Sequence, residues 1–164
     1  MRFFCEICRS VCRWICAPRS EEPERTHVSG TFHILLASSD PYELDNWLAE
    51  LAEIDAEVVK VKDGMAALKA IKRQDFQVLV AAISMAERDG LEVLKELNHI
   101  ASPPVRILVS RGCDVTDRAY LRLARLYGAD VTLTQPLQSG ALGWHIRKTA
   151  GIGLPSAETA TAAV

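Results

Sequence analysis

No apolar run in this sequence approaches the roughly 18 consecutive residues that a membrane-spanning helix needs, so no transmembrane segment is expected. Charge of one sign is also scarce. Lys and Arg number 19 against 21 Asp and Glu, and a net charge of -2 gives no electrostatic reason to expect a nucleic-acid partner. A secretory signal is missing in the same way. Glu6, Arg9 and Arg13 interrupt the apolar residues Phe3, Phe4, Trp14 and Ile15, whereas a signal needs an unbroken apolar centre. The expected location is therefore the reducing cytoplasm, where the five cysteines stay thiols or hold a ligand rather than form disulfides.

What is present suits one core. A chain of 164 residues, 49% hydrophobic and 24% charged, has the composition of an ordinary soluble protein. Four stretches are expected: a cysteine-rich extension at 1–17, a disordered linker at 18–31, a folded domain at 32–150 and a disordered tail at 151–164. The linker combines Pro18 and Pro23 with many charges and almost no large apolar side chain. No internal repeat is visible.

Within 32–150 strand and helix alternate five times. Strands are predicted at 32–37, 57–61, 78–83, 106–110 and 131–134. Helices are predicted at 41–54, 63–73, from about Leu91 to Leu97, 114–127 and 137–149. Asp40 or Ser39 caps the first helix, which starts at Pro41 and turns Leu44, Trp47, Leu48 and Leu51 inward. Gly128 ends the fourth helix, while Gly140 and Gly143 weaken the fifth. Strands separated by helices imply right-handed crossovers. The predicted fold is an α/β three-layer sandwich: a five-stranded parallel, flavodoxin-like sheet of order 2-1-3-4-5 with helices on both faces. Its crevice lies at the carboxyl ends of strands one and three.

Several motifs occur in one order. Ser38, Ser39, Asp40 and Pro41 follow an apolar strand, and Asp63-Gly64 opens a helix. Asp89, Gly90 and Leu91 open another, and Gly128-Ala129-Asp130 precedes Thr134, Gln135 and Pro136. Over residues 32–150 the chain resembles bacterial response-regulator receiver domains of the CheY-like superfamily. The resemblance implies an aspartate at the end of the third strand that takes a phosphoryl group. It implies two acidic residues on the first turn for a divalent cation, and a hydroxyl and a lysine that steady the phosphoryl oxygens. Here the acidic pair aligns with Ser38 and Ser39, the acceptor with Ala82, the lysine with Gln135 and the hydroxyl with Ser110.

A methyl group cannot accept a phosphoryl group, and neutral hydroxyls bind a hard cation poorly. The expected crevice is thus a neutral hydrogen-bonded cluster of Ser38, Ser39, Ser84, Ser110 and Gln135, with Asp40 beside it. Mutual and backbone hydrogen bonding is one reading of this cluster and a small-molecule pocket is the other. The aromatic switch position of the family is Thr132 here, and the Gln135-Pro136 bond is a candidate for the cis form.

Two surfaces remain. On helix four Tyr120, Leu123, Ala124 and Tyr127 share one face, with Arg118, Arg122 and Arg125 opposite and Leu121 and Leu126 at the flanks. That stripe is either a solvated face or, with Thr132, a contact for a partner. The amino-terminal Cys5, Cys8, Cys12 and Cys16 fall on one helical stripe, which suits convergent metal ligation poorly. A basic membrane-surface anchor and an unstructured extension are the alternatives to a metal site. His33, His145 and a core Trp144 are assigned no chemistry.

The expected function is that of a stand-alone degenerate receiver, not an enzyme and without a cofactor, acting through protein contacts independently of aspartyl phosphorylation. The expected partner is a histidine kinase, another regulator or an output protein, or a second copy through helix 4, strand 5 and helix 5. Nucleic acid is not expected, since the 14 residues after Ala150 cannot hold a helix-turn-helix domain. Alternatives are a small-molecule sensor and a receiver phosphorylated at Asp40 or Asp89.

Overall fold

Val78, Leu79, Val80, Ala81 and Ala82 carry no polar side chain, and a strand of that composition is stable only with both faces covered. The computed structural model describes residues 32–112 and 115–152, apart from the side chains of 115–118, and in it this segment is β3 (Val78–Ala82), buried throughout. β1 (His33–Ala37) and β4 (Val105–Ser110) flank it. β2 (Glu57–Val61) and β5 (Val131–Thr134) form the edges. The order is β2-β1-β3-β4-β5, and every pairing is parallel, as predicted.

The period-two alternation of the strands sorts the core into two layers. Ile34, Leu36, Val80 and Ile107 pack with Trp47 of α1 (Pro41–Glu50) and with Leu142 and Ile146 of α5 (Ala141–Ala150). On the other face Leu35 and Leu79 meet Ala67 of α2 (Gly64–Arg73) and Val93 of α3 (Gly90–Leu97). Leu108 meets Leu94 and also Ala124 of α4 (Val115–Leu126). Asp40, Asp63 and Asp89 each accept a backbone N–H from the first turn that follows, a cap worth about 1 kcal/mol.

Several expectations need correction. α1 stops at Glu50 rather than 54, and Leu51 and Ile54 continue in tight turns that donate to Leu48 and Leu51 carbonyls while their side chains stay buried. α5 begins at Ala141 rather than 137, because Gly140 sits at φ 75, a left-handed conformation that cannot continue a right-handed helix. Leu48 and Trp144 are exposed, since α1 and α5 press their Trp47 and Ile146 faces onto the sheet. Tyr120 and Leu123 face outward as well. The phase of α4 is set by fully buried Ala124, with half-buried Leu121 and Tyr127 on either side of it. The extension at 1–17 with its cysteines, the linker at 18–31 and most of the tail lie outside the described residues.

Candidate functional site

The carboxyl ends of β1, β3 and β4 open into one crevice, and the chain leaving β1 builds its wall. Ser38 is fully buried, and its backbone N–H continues the ladder to the Val61 carbonyl. Its hydroxyl donates to Glu43 Oε2 at 2.5 Å and accepts from the Asp40 N–H at 3.1 Å. Asp40 then caps α1 by accepting from the Tyr42 N–H at 2.9 Å. Glu43 stands in the first turn, where the helix dipole favours a negative charge.

From the opposite wall Arg111, the first residue past β4, reaches back to α1. Its Nε donates to Glu43 Oε1 at 2.9 Å, and its Nη2 lies 3.9 Å from Asp40 Oδ2. The Glu43 side chain is only 8% exposed and that of Arg111 is 48% exposed. The crevice is therefore charged, and the expectation of a neutral cluster is corrected by this ion pair. Ser39 and Ser84 are exposed at its rim. Buried Ser110 turns its hydroxyl to the Gly112 N–H at 3.1 Å, and its carbonyl accepts from half-buried Gln135 at 2.8 Å.

Ala82 closes β3 at the floor and is 3% exposed. Gly112 has φ 72, and a Cβ there would fall 2.6 Å from Thr134 Cγ2 and 2.8 Å from the Gln135 carbonyl oxygen, so the exits of β4 and β5 approach as only glycine permits. The Gln135-Pro136 bond is cis. Asp40 and Asp89, the two acids considered as displaced acceptors, both spend their carboxylates on helix caps.

The receiver resemblance implies a divalent cation in this crevice, and the residues present do not fit one. Hydroxyls stand where a hard cation needs carboxylates, both Glu43 oxygens are engaged, and a guanidinium lies alongside. Among the described residues no group of three His, Cys, Asp or Glu side chains could hold a metal.

Sequence reasoning singled out Ser38, Ser110 and Ala82 and missed Glu43 and Arg111. A signal existed for the first, because Glu43 lies one turn before Trp47 and shares its inward face. On α4, Arg122 and Arg125 are exposed, and Arg125 Nε donates to Thr132 Oγ1 at 3.0 Å. Leu126 is 81% exposed. Leu121, expected on the contact surface, is half-buried against Leu94 and Leu108, a consequence of the α4 phase already described. The side chain of Arg118 lies outside the described residues. Lys148 stands 4.7 Å over the Trp144 ring, and His145 has its pKa lowered by burial and then by the Lys148 charge.

A doubly wound parallel sheet with its crevice at this switch point defines a flavodoxin-like α/β module. The family model of the response regulator receiver domain matches residues 34–147, and the chain belongs to that family, the receiving modules of two-component signal transduction. It is 35% identical over 128 residues to the response regulator protein PmrA of Pseudomonas aeruginosa, covering 74% of this chain and 56% of that one. Identity to the transcriptional regulatory protein CpxR homolog of Haemophilus influenzae is 29% over 109 residues, covering 66% of this chain and 46% of the relative. The chain thus spans about half the length of these curated relatives.

Solved structures agree in fold. The CheY-like receiver domain protein of Methanospirillum hungatei superposes with a TM-score of 0.65 at 19% identity, covering 74% of this chain and 95% of that one. The receiver domain of a Pseudomonas aeruginosa sensor histidine kinase, solved with magnesium in its active-site cleft, gives 0.66 at 19% identity over 74% and 99%. Among the described residues no helix is long and apolar enough to cross a membrane.

Proposed function

We propose that this receiver is degenerate and signals by protein contacts without aspartyl phosphorylation, as a cytoplasmic module that is not an enzyme. The observation that carries the reading is Ala82, a buried methyl at the end of β3 where the family resemblance places the phospho-acceptor. The charged contacts at the same end of the sheet support the reading, because both Glu43 oxygens are already engaged, by Ser38 and by Arg111, leaving neither open to a cation.

The contact surface is the outer side of α4 and β5. Arg122, Arg125 and Leu126 are exposed there, half-buried Thr132 lies beneath Arg125, and Arg118 belongs to the same helix. Exposed arginines beside an exposed leucine suit an acidic partner with an apolar centre, because arginine is favoured where contacts are desolvated. The partner is a histidine kinase, another regulator or an output protein, or a second copy of this chain.

Incubation with acetyl phosphate and magnesium, followed by intact-mass measurement, is expected to leave the protein unmodified. A hydroxylamine-sensitive adduct on Asp40, Asp89 or any other carboxylate refutes the reading. Substituting Arg122→Glu with Arg125→Glu is expected to abolish partner binding, and Arg122→Glu alone, which leaves the Arg125–Thr132 contact in place, is expected to weaken it while changing stability by no more than about 0.5 kcal/mol.

A further inference from the structure

Ser38, Glu43 and Arg111 fill the crevice with a charge pattern that the Ala82 substitution alone does not require. We infer that Arg111 is a tethered replacement for the family's diffusible cation, a latch that ties the exit of β4 to the first turn of α1. A receiver with a bound cation neutralises its acidic crevice from solution. Here one guanidinium faces both acids at the mouth, with Nε at 2.9 Å from Glu43 and Nη2 at 3.9 Å from Asp40.

The partners are chosen for permanence. Glu43 is nearly buried, its other oxygen is held by the Ser38 hydroxyl, and Ser38 is itself buried in the continuation of β1. A carboxylate so placed needs its cation at all times, because an unpaired buried charge is far more costly than an unpaired exposed one. Arg111 is positioned from its own side by the neighbouring peptide, where the Gly112 N–H donates to Ser110 Oγ, and by the close fit of Gly112 against Thr134 and Gln135. The latch therefore acts at the exit of β4, at Arg111 and Gly112. The far end of α4 is tied to β5 by the Arg125 to Thr132 contact, so the proposed partner surface hangs between two arginine ties. Its arrangement is set by the chain and not by an added group.

The inference extends the phosphorylation-independent reading, yet its test is separate. Hydrogen exchange on the full chain is compared for the wild type and for Arg111→Gln, Arg111→Lys and Glu43→Gln. Releasing one charge-assisted contact is expected to raise exchange at Leu44 and Gly112 about tenfold in Arg111→Gln and in Glu43→Gln. Leu35 and Leu79 in the core strands are expected to keep wild-type protection in both. Arg111→Lys, which keeps the charge but not the fork, should fall between them and the wild type. Unchanged exchange at Gly112 in Arg111→Gln, or a uniform rise that includes Leu79, overturns the latch. In the same samples magnesium chloride alone is expected to give no saturable amide shift at Ser38, Ser84 or Gly112 of the wild type. A saturable shift overturns the replacement of the cation. A phosphoryl adduct found by mass with the exchange pattern as expected would refute the phosphorylation-independent reading and leave the latch standing.

Discussion

Two arginine–carboxylate pairs sit at opposite ends of the sheet, and their burial is reversed. At the carboxyl ends of the strands the acid is hidden and the arginine half exposed, with side-chain exposures of 8% for Glu43 and 48% for Arg111. At the amino ends the arginine is covered and the acid open, at 15% for Arg106 and 43% for Asp130. The supporting contacts differ to match. Arg106 has Asn98 Oδ1 at 2.7 Å as well as Asp130, and Asp130 also accepts the Arg106 backbone N–H at 2.8 Å. Asn98 in turn donates to the Tyr127 carbonyl, so this network joins α3, β4 and the approach to β5. Arg106 Nε lies 3.5 Å from Asp130 without a hydrogen bond, which makes that ion pair the looser of the two. The covered guanidinium is held by one amide oxygen and only loosely by its acid, while its own backbone N–H carries the firmer bond to Asp130. A hidden carboxylate held by one hydroxyl and one half-exposed guanidinium depends on that pairing to stay charged.

The strongest way to break that contrast is Ala82→Asp, which adds an acid at a 3% exposed position in a crevice whose cation is already shared. A loss of about 3 kcal/mol in urea unfolding at neutral pH is expected, and it should shrink on acidification as the added carboxyl is neutralised. A neutral effect would mean that the crevice has spare positive charge and would remove the distinction. Truncation of each acid sharpens it further. Glu43→Ala loses a buried side chain and strands the Ser38 hydroxyl, for about 2 kcal/mol, whereas Asp130→Ala should cost nearer 1 kcal/mol because Arg106 keeps Asn98. Equal costs by chemical denaturation would show that burial does not rank the two pairs.

The smallest effect expected concerns His145 of α5, which takes part in neither pair. Its folded pKa lies below the usual 6.5, first through burial and then through Lys148. Between the lowered value and 6.5 the unfolded chain holds more protons than the folded one, so stability falls as pH drops through that window and is unaffected above it. His145→Gln should flatten this slope in denaturant titrations across mildly acidic pH, while an unchanged slope would place the sensitivity elsewhere.

Much of the architecture was legible because it is written in periodicity. Val78 to Ala82 reads as a strand buried on both faces, and Asp63-Gly64 and Asp89-Gly90 read as helix openings, where the structure finds each aspartate capping the helix that follows. Boundaries failed where a backbone torsion decided them, as at Gly140, or where a helix kept its buried residues in tight turns, as at Leu51 and Ile54. The crevice was half legible. Ser38 and Ser110 follow from strand ends, but Glu43 reads alone as a complement to the helix dipole and Arg111 as a loop residue. Their bond spans a separation of 68 residues, and a pairing that distant exists only once the sheet has brought β1 and β4 to the same edge of the crevice. The face of α4 was misjudged by one position because Tyr120, Leu121, Leu123 and Ala124 offer two apolar registers. Packing against Leu94 and Leu108 selects the smaller residue for the closest approach.

The Arg111 contact carries a consequence for timing. A mark written from outside fades by hydrolysis, and its half-life tells a cell how recently a stimulus arrived. Under the proposed phosphorylation-independent reading, a guanidinium spliced into the polypeptide has no such clock: the posture it enforces would last as long as the molecule does, and output would track how many copies are synthesised and how fast they are destroyed.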